Sequence, residues 1–127
     1  MHTLRIDHLV LTVASIPATC EFYSRVLGME VVTFGEGRTA LSFGNQKINL
    51  HQVGREFEPK ANRPTAGSAD LCLIVDPGNG DIMAHLAAHQ IAVEAGPVVR
   101  TGAIGPIRSV YVRDPDHNLI ELSEYIR

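Results

Sequence analysis

The chain writes one order of secondary structure twice, and few folds accommodate that. HLVLTV (8–13) alternates as a strand does, with Leu9, Leu11 and Val13 on one face and His8, Val10 and Thr12 on the other. SIPATCEFYSRVLG follows as an amphipathic helix, with Ser15 as N-cap, Pro17 in the first turn and Gly28 as the stop. Three strand-like runs come next, MEVVTFG, RTALSFG and QKINLHQV, broken at 36–37 and 44–45 by turn residues. The polar stretch GREFEPKANRPTAGS (54–68) reads as a connector. Beyond it ADLCLIV is a strand, GDIMAHLAAHQ a helix with Asp81 as N-cap, and IAVEAG, IRSVYVRD and NLIELSEY three more strands. GPVVRTGAIGPI is expected as a loop inserted among them. The expectation is an α+β chain of two βαβββ modules, about 4–53 and 68–125, joined by a linker at 54–67.

At 127 residues the chain suffices for one domain built of two small halves. A net charge of −3, with no basic tract, gives no footprint for nucleic acid. No apolar run approaches the roughly 20 residues that span a bilayer. MHTLRID lacks the basic-then-apolar layout of a secretory signal, and the two cysteines, Cys20 and Cys72, suggest no disulfide framework. A cytoplasmic location is expected.

The repeat can be aligned by hand. HLVLTV over DLCLIV, an offset of 62, sets Asp70 where His8 stands. NLHQ (49–52) over LIEL (119–122), an offset of 70, sets Glu121 where His51 stands. His8, His51, Asp70 and Glu121 then lie at matched positions, each on the face opposite the main apolar row. Singly, each also suits a solvent-facing role, but matched positions in a duplicated unit favour a metal. Imidazole and carboxylate ligands suit one divalent ion, Zn²⁺, Ni²⁺, Co²⁺, Mn²⁺ or Fe²⁺. His85 and His89, four apart on the second helix, read as a solvated helix face, and His117 as a turn residue facing water. Arg55, Lys60, Arg63 and Arg100 lie in loops 54–68 and 96–107, where a basic rim would steer an anionic substrate.

IDHLVLTV, FYSRVLGMEVV, SADLCLIV and VYVRDPDHNLIEL together resemble the vicinal oxygen chelate superfamily of glyoxalases, extradiol dioxygenases and bleomycin-resistance proteins. The resemblance covers nearly the whole chain and is strongest to small glyoxalase-domain proteins. It implies one domain, 1–127, whose two modules form a cup-shaped curved mixed sheet, and a homodimer that covers sheet edges. It implies metal positions at His8, His51, Asp70 and Glu121, with Glu121 also the catalytic base. The chain departs from the glyoxalase order of His, Glu, His and Glu at the second and third positions. Asp70 also departs from the triad of the dioxygenases. Glyoxalases that handle glutathione adducts tend to carry Arg where Thr12 stands here. The implied function is a metal-dependent glyoxalase-like lyase or isomerase acting on a small hydroxycarbonyl compound or its thiol adduct. An Fe²⁺ extradiol dioxygenase comes second and a metal-free small-molecule binding or resistance protein third. Arg100, Arg55, Thr12 and Cys72 are the candidate substrate-binding residues.

Overall fold

The computed structural model describes residues 1–127, which divide into two compact units, 1–68 and 69–127. Each unit holds one helix and one four-stranded mixed sheet. No helix is long and apolar enough to cross a membrane.

Unit 1 runs β1 (His8–Val13), α1 (Ile16–Arg25), β2 (Glu30–Phe34), β3 (Arg38–Phe43) and β4 (Gln46–Gln52). Its sheet has the order β1-β4-β3-β2, with β1 parallel to β4 and the other pairs antiparallel. Ser15 caps α1 by accepting a hydrogen bond from the Ala18 amide at 3.2 Å. The helix buries Thr19, Phe22 and Tyr23, and Leu11, Val13, Ile48 and Leu50 of the sheet are buried in the same unit. Gly28 ends the helix region at φ 68°, a left-handed conformation that side chains resist.

Unit 2 repeats the plan with β5 (Asp70–Ile74), α2 (Ile82–Ala88), β6 (Ala95–Thr101), β7 (Pro106–Arg113) and β8 (Leu119–Tyr125), in the sheet order β5-β8-β7-β6. Its buried apolar residues are Ile107, Val110, Val112, Ile120 and Leu122 from the sheet with Ile82 and Leu86 from α2. Asp81 caps α2 by accepting from the Ala84 amide at 2.7 Å.

One strand departs from the sequence expectation. The expected strand at 91–96 is mostly irregular, and the segment expected as a loop, GPVVRT, forms β6. Pro97 lacks an amide hydrogen, yet β6 is an edge strand, where that donor is dispensable. The turn to β7 is short, closed by the Gly102 amide donating to the Gly105 carbonyl at 2.8 Å.

The strand registers also revise the hand alignment. Leu9 pairs with Ile48 and Leu11 with Leu50 in unit 1, as Leu71 pairs with Ile120 and Leu73 with Leu122 in unit 2. The last strands therefore correspond at an offset of 72, not 70. Asn49 holds the place of Glu121, and His51 the place of Ser123. A two-residue slip keeps every side chain on its face, so the alternation of apolar residues could not expose the error.

Candidate functional site

The polar side chains of unit 2 fall in rows across the sheet face opposite its apolar core, because paired residues on neighbouring strands share a face. One row is Tyr111, Glu121 and Cys72; the next toward the end of β8 is Val98, Ser109, Ser123 and Ile74; beyond it come Arg100, Ile107 and Tyr125. Cys72, Tyr111 and Glu121 of the first row, Ile74 of the second, and all three of the last line a pocket of 390 Å³, together with Thr101, Gly102 and Ala103. A side chain at Gly102 would start 2.9 Å from Ile107 and 3.1 Å from Tyr125, so this rim position has room only for glycine.

Glu121 is fixed from below. The Ser109 hydroxyl donates to Glu121 Oε2 at 2.6 Å, and the hydroxyls of Ser109 and Ser123 lie 2.7 Å apart. Each hydroxyl has one hydrogen. With that of Ser109 spent on Glu121, Ser123 donates to Ser109, and the Cys72 thiol, 3.3 Å from Ser123, donates to Ser123. The chain of donors thus runs one way, from Cys72 to the carboxylate. Burial, reinforced by the negative charge of Glu121, pushes the Cys72 thiol up, which suits a protonated donor. Both serines are fully buried, so this floor is dry.

The same pocket holds a cation. Arg100 Nε donates to the Tyr111 hydroxyl at 3.1 Å, with the guanidinium 5.7 Å from the centre of the tyrosine ring. A pocket holding an anchored carboxylate beside a guanidinium and a phenol can take a proton from carbon and stabilise negative charge on an oxygen.

Asp70 lies in the adjacent same-face row, with Leu119 and Arg113, and is exposed. Arg113 is committed elsewhere, donating to both Glu94 oxygens at 2.9 and 2.7 Å.

In unit 1 the candidate ligands are dispersed. His8 pairs with Lys47 and Thr12 pairs with His51, so the histidines share a face but stand four residues apart along it, roughly 13 Å at strand rise. His8 is exposed and its Nδ1 lies 2.8 Å from Asp7 Oδ1. His51 is only 8% exposed, meets the ring of Phe57 edge-on at 5.7 Å, and lines a second pocket of 390 Å³ with Val10, Thr12 and Lys60. Asn49, the counterpart of Glu121, has a buried Oδ1 without a hydrogen-bond partner. In neither unit do three histidine, cysteine or carboxylate side chains gather as a metal's ligands.

The basic rim resolves into one useful cation. Arg100 lines the unit 2 pocket. Lys60 is paired with Glu58 at 3.2 Å and Glu56 at 4.0 Å, and Arg55 and Arg63 line neither of these two pockets. Sequence reasoning missed Ser109, Tyr111, Ser123 and Tyr125. The signal was there in IRSVYVRD and NLIELSEY, where these residues alternate with the buried Val110, Val112, Ile120 and Leu122.

Comparison with known proteins adds the following. The family model described as the Glyoxalase/Bleomycin resistance protein/Dioxygenase superfamily matches residues 5–122. The chain is 60% identical over 120 residues to the glyoxalase domain-containing protein RDO1 of Mycosarcoma maydis, covering 94% of this chain and 68% of that protein. It is 57% identical over 122 residues to virulence protein STM3117 of Salmonella typhimurium, covering 96% of this chain and 85% of that one. The crystal structure of STM3117 superimposes with a TM-score of 0.96 over 99% of this chain and 100% of that chain, at 56% identity. Lactoylglutathione lyase from Agrobacterium tumefaciens superimposes with a TM-score of 0.70 over 94% of this chain and 92% of that chain, at 26% identity.

Proposed function

We propose, because the chain belongs to the Glyoxalase/Bleomycin resistance protein/Dioxygenase superfamily, that it is a glyoxalase-like lyase or isomerase acting on a small hydroxycarbonyl compound or its thiol adduct. The observation that carries this reading is Glu121, held at one oxygen by Ser109 and sharing its pocket with Arg100 and Tyr111. The free oxygen of Glu121 removes a proton from the carbon beside the carbonyl. The C–H electron pair moves to the carbonyl oxygen, giving an enediolate whose charge Arg100 and the Tyr111 hydroxyl stabilise. The hydroxyl proton passes to the neighbouring enediolate oxygen and Glu121 returns the abstracted proton to the former carbonyl carbon, so atoms and charge balance. Anchoring of Oε2 by a buried hydroxyl lowers the freedom of the base before substrate arrives.

The substrate is small and carries an anionic or strongly polar oxygen, which Arg100 supports. Thr12 in place of a basic residue argues for a carrier other than glutathione. Members of the superfamily commonly bind a divalent metal, which polarises a carbonyl when bound. The donors here do not fit that role within either unit: His8 and His51 are dispersed, and Glu121 has only Asp70 as a carboxylate in the adjacent row. No step of this mechanism passes through a metal. A homodimer is part of the proposal, since β1 and β5 end their sheets and leave backbone edges that a second copy would cover.

A second reading, a binding or resistance protein without turnover, is favoured by the apolar side of the same pocket, Ile74, Ile107 and Tyr125. Both are tested by offering hydroxycarbonyl compounds and hemithioacetals, alone and with Zn²⁺, Ni²⁺, Co²⁺, Mn²⁺ or Fe²⁺. One compound is expected to be isomerised, with Glu121→Gln lowering kcat about 10²–10⁴-fold. Full activity of Glu121→Gln rejects the base. Tight binding without product, under every ion, selects the second reading.

A further inference from the structure

α2 carries, at exposed His85 and at its half-buried C-cap His89, chemistry that the pocket does not use. His85 and His89 stand one helical turn apart, where side chains are neighbours on the surface. Their ring centroids are 4.5 Å apart with the planes tilted by 47°. Two imidazoles bound cis to one ion, with metal–nitrogen bonds of about 2.0–2.1 Å, hold their centroids roughly 4.5 Å apart. The flanking Ala84, Ala87 and Ala88 are exposed and small, leaving the remaining coordination positions open to water.

The backbone beneath the pair is locked. The His89 amide donates to the His85 carbonyl at 3.2 Å, which closes the turn between them. Beyond it the Gln90 amide donates to Ala87 at 3.1 Å and the Ile91 amide to Leu86 at 2.9 Å, while Gln90 takes φ 56°. That double closure is the Schellman arrangement, and it fixes His89 at the helix end. The C-terminal turn is also where the helix dipole favours a cation.

We propose that His85 and His89 form a bidentate surface site for a late first-row divalent ion that accepts cis nitrogens near 90°, Ni²⁺ or Cu²⁺. A tetrahedral ion prefers a wider angle and would need the rings further apart. This site is independent of Glu121, and an ion there would add to any metal counted on the whole protein.

Calorimetric titration of the intact protein with Ni²⁺ tests it, beside His85→Gln, His89→Gln and Glu121→Gln. One ion is expected to bind wild type and Glu121→Gln alike, with each histidine variant weakened at least tenfold. Ni²⁺ should also raise the urea midpoint of wild type by more than that of either histidine variant, because stabilisation falls as binding to the folded state weakens. His85→Gln and His89→Gln titrating like wild type would overturn the proposal. So would loss of the ion in Glu121→Gln with both histidines intact.

Discussion

Replacing Ser109 by alanine should cost far more than replacing its neighbour Ser123, although the two serines are equally buried and sit opposite each other on β7 and β8. Ser109 donates to the Glu121 carboxylate at 2.6 Å and accepts from Ser123 at 2.7 Å. Ser109→Ala removes a hydrogen bond to a charged group, worth about 1.5–3 kcal/mol, and strands the Ser123 donor in a dry floor, a penalty of about 1–3 kcal/mol. Allowing for overlap between the two effects, about 3 kcal/mol is expected. Ser123→Ala removes the neutral hydrogen bond to Ser109, about 1 kcal/mol, and the weak one from the Cys72 thiol, which is exposed and finds water as acceptor instead. Urea slopes of roughly 1–3 kcal/mol per molar convert the difference of about 2 kcal/mol into a midpoint gap near 1 M. Equilibrium urea unfolding followed by far-ultraviolet circular dichroism reads it. In an Glu121→Ala background the cost of Ser109→Ala should shrink, since the serine then has no anion to serve. If Ser123→Ala proved as costly as Ser109→Ala, or the Glu121 background changed nothing, the donor order running from Cys72 to Glu121 would be wrong.

Arg100→Met should weaken binding of a carboxylate-bearing hydroxycarbonyl about tenfold, with little change for a neutral analogue, as measured by calorimetry. Gln90→Gly should raise stability by about 0.5–1 kcal/mol in urea titration, because Gln90 occupies φ 56°, where glycine is unstrained. The paired hydrogen bonds from Arg113 hold the Glu94 carboxyl below its usual 4.5, so their contribution is fully present above that value. It is lost as the pH falls through the lowered folded-state value, and wild type should approach Arg113→Met in stability only at the acid end of a pH series.

Much of this fold was legible because apolar alternation and capping chemistry agree. Ser15, Asp81 and Gly28 act as read, and Leu11, Val13, Ile120 and Leu122 are buried. β6 was hidden by Gly96 and Pro97, residues that speak against a strand until its place at the sheet edge is known. The equivalence of His51 and Glu121 failed for a subtler reason. Period-two alternation fixes which face a residue takes but not how far along the strand it lies, and only the pairing of Leu11 with Leu50 and of Leu73 with Leu122 sets the register. Glu121, Cys72 and Arg100 were legible as chemistry and do share a pocket. Tyr111 and the two serines beneath Glu121 were not, because hydroxyls on alternating strand positions resemble ordinary solvent-facing residues until the rows are assembled.

The central claim is that Glu121 exchanges a proton with the carbon beside a substrate carbonyl. The most direct measurement is proton NMR in D₂O of a hydroxycarbonyl substrate incubated with wild type, Glu121→Gln and Arg100→Met. Wild type should form product and place deuterium at the reacting carbons to the extent that the half-buried Glu121 carboxyl trades its proton with solvent. Glu121→Gln should abolish exchange while still binding the compound, and Arg100→Met should slow it. Product formation or exchange undiminished in Glu121→Gln would contradict the claim.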